Sequence, residues 1–210
     1  MKSRVDFSTL LCLNGELPAA DFFHGFGGTV IAADGAAMQL LERGVQPHVI
    51  VGDMDSFPEH AKGSLDAGIT LLHSHEQDTN DFEKIFLLAA PQSHEHVCIC
   101  GFHGGHLEHT LNNWSVLMRY ASKHKLYIYD NGRLAMPVTS QLELHTTPGE
   151  IISLIPQPHA RLSTHGLHWP LNNEELRLGT REGARNRATG SSVRIEVHDG
   201  ALLVFFDAVG

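Results

Sequence analysis

Short apolar runs alternate with amphipathic stretches over the first 130 residues. Residues 5–13 form one such run, closed by Asn14-Gly15, and 29–33 and 47–51 form two more, each leaving into a polar corner. Brief apolar runs bounded by Gly, Pro or Asn predict buried strands. Between them, 18–24 and 36–43 have helical spacing, the first broken by Gly25 and the second ended by Gly44. Further on, 58–67 predicts a helix closed by Gly68, 69–72 a strand, 81–90 a helix, 96–100 a strand, 107–120 a helix and 125–129 a strand. Phe82, Ile85, Phe86 and Ala89 make one apolar stripe on helix 81–90, and Leu111, Trp114, Leu117 and Met118 take core spacing on helix 107–120. Strand–helix alternation of this kind builds a mainly parallel sheet.

From Arg133 the period changes. Strand-like segments at 134–138, 141–145, 151–155, 160–164, 192–198 and 201–206 are separated by Gly, Pro and Asn, the signature of an antiparallel sandwich or barrel. The expected fold is therefore α/β: a Rossmann-like, mainly parallel sheet domain over residues 1–135, followed by a small all-β sandwich or barrel domain over 136–210.

With 42% hydrophobic residues in 210, the chain has ample material for a packed core. No apolar run approaches the ~20 residues of a membrane span, and Met1 to Asp6 does not open like a secretory signal. The expectation is a cytoplasmic protein with no membrane partner. A formal charge of -9 argues against nucleic acid as a partner, because phosphate contacts need a basic patch. It suits a protein that recruits metal cations to reach an anionic substrate. Cys12, Cys98 and Cys100 lie in strand-like apolar stretches and fit neither a disulfide framework nor a zinc ribbon.

The chemistry concentrates at the strand-to-helix corners. In Val51-Gly52-Asp53-Met54-Asp55-Ser56, two carboxylates stand at i and i+2 directly after an apolar run. In extended chain they point the same way, and at the carboxyl end of a parallel sheet they would face one Mg²⁺. The alternative is that the segment closes a turn and caps the following helix. Asp34 occupies the preceding corner, and Gln77-Asp78 with Asp81 a later one, with Lys84 one turn beyond. His103, His106 and His109, with Glu108 as base, raise a zinc hydrolase as another class. On a continuous helix those three imidazoles would fan over roughly 120°, which is loose for one ion.

Taken in order, these motifs resemble thiamine pyrophosphokinase in its bacterial form. The family's Ala-Asp-Gly corner stands here as Ala33-Asp34-Gly35, and its Pro-Asp-x-x-x-Gly-Asp-x-Asp-Ser segment runs from Pro47 to Ser56. Its Gln-Asp-x-Thr-Asp-x-x-Lys helix start runs from Gln77 to Lys84, and its Gly-Gly-Arg-x-Asp-His loop from Gly104 to His109. The Gly-Leu-x-Trp-Pro-Leu signature of its small β domain appears from Gly166 to Leu171. The resemblance implies a homodimeric enzyme that uses Mg²⁺ and ATP to place a diphosphate on the hydroxyl of thiamine, releasing AMP. It assigns catalysis to Asp53, Asp55, Asp81 and Lys84, with Asp53, Asp55 and Asp81 as metal ligands. Asp34, Gln77, Thr79, His106 and Glu108 would serve the nucleotide, and Trp169, Arg185 and Asn186 the acceptor.

The departures from the family pattern cluster. His106 puts a titrating imidazole where the family has a permanent bidentate cation, and Glu108 adds a methylene to the family's aspartate. Ala36 replaces a usual glycine, His48 replaces an aspartate, and Arg185 replaces a serine beside Asn186. Two further readings follow: a diphosphokinase of the same family acting on another alcohol, such as a pterin, and a noncatalytic nucleotide-binding homologue.

Overall fold

Strand β1 (Thr9–Cys12) is buried along its whole length and pairs in parallel with β2 (Thr29–Ala33) on one side and β5 (His96–Cys100) on the other. Outward from β2 come β3 (Val49–Gly52) and β4 (Thr70–His73), and outward from β5 comes β6 (Lys125–Asp130), all parallel. The order β6-β5-β1-β2-β3-β4 makes the gap between β1 and β5 the place where chain progression reverses. Ligands of open parallel sheets bind at the carboxyl ends of the two strands flanking such a point. This computed structural model describes residues 3–54, 68–74 and 78–209, so the predicted helix 58–67 lies outside the described residues. Contacts divide the chain into two units, one from Val5 to Ile128 and one from Tyr129 onward that also takes in Ser3 and Arg4.

The helices of the first unit are α1 (Ala20–Phe23), α2 (Asp34–Glu42), α3 (Asp81–Leu88) and α4 (Leu107–Tyr120). On α3, Phe82, Ile85 and Phe86 are buried as their stripe predicts, and Lys84 is buried with them. The stripe expected on α4 is displaced: Val116 and Leu117 are buried, whereas Leu111 is 62% exposed. Helices α3 and α4 run side by side in the same direction. Asn80 bonds Asn113, Glu83 pairs with Arg119, and Phe86 stacks on Tyr120 at 4.3 Å. Both therefore begin at the same end.

The three cysteines are buried and reduced. The bond to Cys100 and then burial push the Cys12 thiol well above the ordinary cysteine range; burial also pushes the Cys100 thiol up, the Cys12 bond opposing the rise and the Cys98 bond adding to it. Inert core residues behave this way.

One departure from the family pattern has a local explanation. The His48 backbone N–H donates to the Val30 carbonyl at 2.8 Å, while its Nδ1 accepts from the Val30 N–H at 3.0 Å. The imidazole thus supplies an acceptor that an aspartate would also supply, and the bond closes the lower end of the β2–β3 pair. His48→Asp is expected to leave stability unchanged, whereas His48→Leu should cost about 1 kcal/mol in urea denaturation, the net worth of one such bond. Equal losses in both variants would contradict this role.

The second unit is antiparallel, built from β7 (Arg133–Val138), β8 (Gln141–His145), β9 (Ile151–His165), β10 (Glu174–Arg177), β11 (Gly183–Arg187) and β12 (Ser192–Asp207). Strand β12 pairs with β8 through its first half, with β7 through its second, and with β9 along both. Two pairs of predicted short strands are therefore single long ones. Pro156-Gln157-Pro158 and Asp199-Gly200 read as turns in sequence, yet they lie inside β9 and β12, where register shifts at Val197/Asp199 and Gly200/Leu202 absorb them. Strands β10 and β11 went unpredicted because Glu-Glu-Leu-Arg and Gly-Ala-Arg-Asn-Arg carry almost no apolar pattern.

Candidate functional site

A cavity of about 550 Å³ opens at the switch point, lined by the chain leaving β1, the loop leaving β5 and the first turns of α3 and α4. Its walls are close because the two loops are zipped together. Gly15 N donates to the Gly101 carbonyl at 3.0 Å and Glu16 N to the His103 carbonyl at 2.7 Å. A Cβ at Gly15 would sit 2.1 Å from the His103 oxygen, so only glycine allows this approach.

Beside the cavity, Asp34 organises the next corner. It is 3% exposed, and its two carboxylate oxygens accept from Gly35 N at 2.7 Å and from Met54 N at 3.0 Å. The second bond reaches across to the segment after β3 and holds Met54 in a left-handed conformation, φ 64°. Gly52 leaves the room: a Cβ there would lie 2.4 Å from the Asp34 Cγ. Burial, then the charge of Asp81, raises the Asp34 carboxyl above the ordinary aspartate value; its two backbone donors act against this, and Asp53 adds to the rise. Asp34, Asp53 and Asp81 thus share one electrostatic neighbourhood.

Asp81 opens α3 and accepts from the buried Lys84 ammonium at 3.3 Å. The cap of α3 is Asn80, whose Oδ1 accepts from Glu83 N at 2.9 Å. At α4 the N-cap is His106, and it makes no side-chain cap bond. Among the described residues, the first N–H groups of α4 thus open beside the cavity without a cap from the His106 side chain. A helix start in this condition favours anions.

Of the residues singled out by sequence, Asp81, His106 and Glu108 line the cavity. Asp34, Asp53 and Lys84 stand next to it through the contacts just given. Thr79 precedes the α3 cap and is outside the lining, and Asp55 and Gln77 lie outside the described residues. The zinc arrangement is not assembled: the His106 and His109 rings are 5.9 Å apart, and among the described residues no group of three His, Cys, Asp or Glu is gathered closely enough to hold a metal. In the second unit, Trp169 is 58% exposed. Asn186 is buried, and its carboxamide is used on the backbone: Oδ1 accepts from Trp169 N at 3.1 Å and Arg187 N at 2.8 Å, and Nδ2 donates to the Trp169 carbonyl at 2.7 Å. It holds the Trp169 segment in place, in contrast to the open acceptor contact expected of it. Arg185 is exposed in a left-handed bulge, φ 58°.

Sequence reasoning passed over Asn14, Asn80, Asn112 and Asn113, all of which line the cavity. Asn14 had registered only as the end of a strand. Asn80 carried a readable signal, since Asn-x-x-Glu before an apolar stripe is a capping pattern.

Residues 28–129 match the family model for the thiamin pyrophosphokinase catalytic domain, and residues 139–202 match the model for the thiamin pyrophosphokinase vitamin B1 binding domain. The chain belongs to the thiamin pyrophosphokinase family. Among curated relatives, thiamine pyrophosphokinase 1 of Oryza sativa subsp. japonica is 31% identical over 164 residues, covering 71% of this chain and 62% of that protein. Thiamine pyrophosphokinase of Bacillus subtilis is 26% identical over 157 residues, covering 71% of this chain and 73% of its own length. This family member thus spans less than two thirds of the first plant relatives, and its relatives do not single out a bacterial branch. In fold, thiamin pyrophosphokinase from Geobacillus thermodenitrificans superposes with a TM-score of 0.81 at 22% identity, over 95% of this chain and 96% of that one. The Candida albicans protein gives 0.80 at 16% identity, over 97% and 89%.

Proposed function

We propose that this chain transfers the diphosphate of ATP to the hydroxyl of thiamine, giving thiamine diphosphate and AMP. The observation that carries the reading is a cavity at the switch point, lined by Asp81, onto which α4 opens without a side-chain cap, with the charges of Asp53 and Asp81 both acting on Asp34. The donor set suits Mg²⁺, which takes one or two carboxylates and completes its shell with water and substrate phosphate oxygens. Asp53 and Asp81 would hold it, with Asp55 two residues beyond Asp53 in sequence, and a divalent cation there would offset the part of the Asp34 rise that, after burial, comes from Asp81 and Asp53. When bound, Mg²⁺ supplies neutralisation of phosphate charge as the alcohol approaches.

The chain's own groups do the rest. Asp34 fixes the corner that carries Asp53. Lys84, held at Asp81, places a cation next to the phosphates, and the first N–H groups of α4 receive phosphate oxygens. Trp169 offers an exposed flat face suited to the cationic thiazolium. Homodimer formation and a cytoplasmic location belong to the same proposal; no helix among the described residues is long and apolar enough to cross a membrane.

Incubating the protein with ATP, Mg²⁺ and thiamine should yield AMP and thiamine diphosphate in equal amounts, and Lys84→Met should reduce that rate at least tenfold. Absence of AMP with thiamine and with every other alcohol tried, at saturating ATP, would leave a binding protein. The exposed Arg185 favours a second reading, in which the acceptor is an uncharged or anionic alcohol such as a pterin. AMP release with that alcohol and none with thiamine would select it.

A further inference from the structure

Two carboxamides join the start of α3 to the second turn of α4 at the cavity. Asn80 Oδ1 is committed to Glu83 N at 2.9 Å, so Asn80 Nδ2 is the group that donates to Asn113 Oδ1 at 3.0 Å. That in turn directs Asn113 Nδ2 to the Phe102 carbonyl at 3.0 Å. Each amide has one orientation that satisfies its neighbours, and a flip of either would face oxygen with oxygen or N–H with N–H. The chain Glu83 N–Asn80–Asn113–Phe102 O therefore runs from the first turn of α3, through α4, to the loop leaving β5. Asn80, Asn113 and Phe102 all line the cavity, as does Asp81, which follows Asn80.

We propose that Asn80 and Asn113 are a positioning pair: their bridge sets the first turn of α3, with Asp81 and Lys84, against the second turn of α4 and the loop leaving β5. The inference rests on the diphosphate-transfer reading of this cavity and adds to it the element that holds the start of α3 in place. The same two helices are also joined farther along by Phe86 stacked on Tyr120. That contact lies away from the cavity, so it provides the control. A bridge that acts only as fold glue would be equivalent to it. A bridge that positions the site would not.

Asn80→Ser keeps an N-cap oxygen for Glu83 N but is too short to reach Asn113. Asn113→Leu keeps the volume and removes both of its bonds without adding charge. Amide hydrogen exchange at Glu83 and Lys84, which needs no turnover, should speed up about tenfold in Asn113→Leu relative to wild type. In the ATP assay each single variant should lose about tenfold in kcat with KM for Mg-ATP within about twofold. The double variant should lose about tenfold in total rather than a hundredfold, because members of one pair are not additive. Phe86→Leu, which removes the stack and leaves the Tyr120 hydroxyl on Glu83, should retain kcat. Unchanged exchange in Asn113→Leu, an additive double variant, or an equal kcat loss in Phe86→Leu would each overturn the pair. Inactivity of the wild type with thiamine would instead count against the proposed function, and the exchange arm would still decide whether the bridge orders the start of α3.

Discussion

Replacing Asp34 by alanine is expected to lower kcat for diphosphate transfer by about a hundredfold, the scale at which roughly an ångström of misplacement acts. The carboxylate ties the Met54 corner to α2 through 2.7 Å and 3.0 Å bonds from Gly35 N and Met54 N. Without it the Met54 N–H, in a residue only 8% exposed, loses its acceptor, at a cost of about 1–3 kcal/mol. The corner that carries Asp53 then relaxes away from its left-handed turn. Gly52→Ala should do similar damage from the other side, because its Cβ would lie 2.4 Å from the Asp34 Cγ. Steady-state kinetics with melting curves on both variants would test the pair. Full kcat in either one would remove Asp34 from this role.

The same carboxyl gives a pH dependence with a definite sign. Its folded value is raised above the ordinary 3.8, chiefly by burial and then by Asp81. Between 3.8 and the raised value the folded chain holds a proton that the unfolded chain has released. Its contribution to stability is therefore fully present below the lower limit and is lost as pH rises through the window. Above the window, Mg²⁺ at Asp53 and Asp81 should return part of that loss, so the melting temperature should rise more with Mg²⁺ at pH 7 than at pH 4. An equal rise at both would argue against a cation beside Asp34.

The corners were legible because acidic residues directly follow apolar runs, and the parallel order β6-β5-β1-β2-β3-β4 gathers those ends on one edge. What the pattern did not carry is the partner each side chain chooses. Asn14 and Asn113 have no periodicity to mark them, and they reach the cavity only because Gly15 lets two loops touch and because α3 and α4 run side by side. Asn186 shows the converse: a residue with the right neighbours in sequence proves to be spent on the backbone of Trp169. In the β unit, hydrophobic alternation located β9 and β12, but Pro and Gly inside a bulged pair look the same as Pro and Gly in a turn. Leu111 fits core spacing on α4 and is nevertheless exposed, since spacing identifies a stripe without saying which neighbour covers it.

The largest loss of stability should come from Arg4, which nothing in the sequence marks. Its guanidinium donates to Glu150 at 2.8 Å and to the His145 carbonyl at 2.8 Å and lies 5.5 Å from the Phe206 ring centroid, while its backbone N–H bonds the Ala208 carbonyl at 2.8 Å. The Glu150 side chain is 1% exposed and also accepts from Asp207 N at 3.1 Å. The beginning of the chain is thereby fastened to the ends of β8 and β12 and to the approach to β9. Arg4→Met removes the cation and leaves a buried carboxylate uncompensated, which costs about 3–5 kcal/mol. Adding Glu150→Gln should recover part of that loss, because the amide oxygen still accepts from Asp207 N while the buried charge is gone. The chain's two tryptophans, Trp114 and Trp169, fall one in each unit, so fluorescence in Trp114→Phe and Trp169→Phe backgrounds reads the units separately during urea unfolding. The Trp169 transition should shift to lower urea in Arg4→Met by more than the Trp114 transition. If the double variant were less stable than Arg4→Met, or if the two transitions moved equally, Arg4–Glu150 would not be a clasp of the β unit.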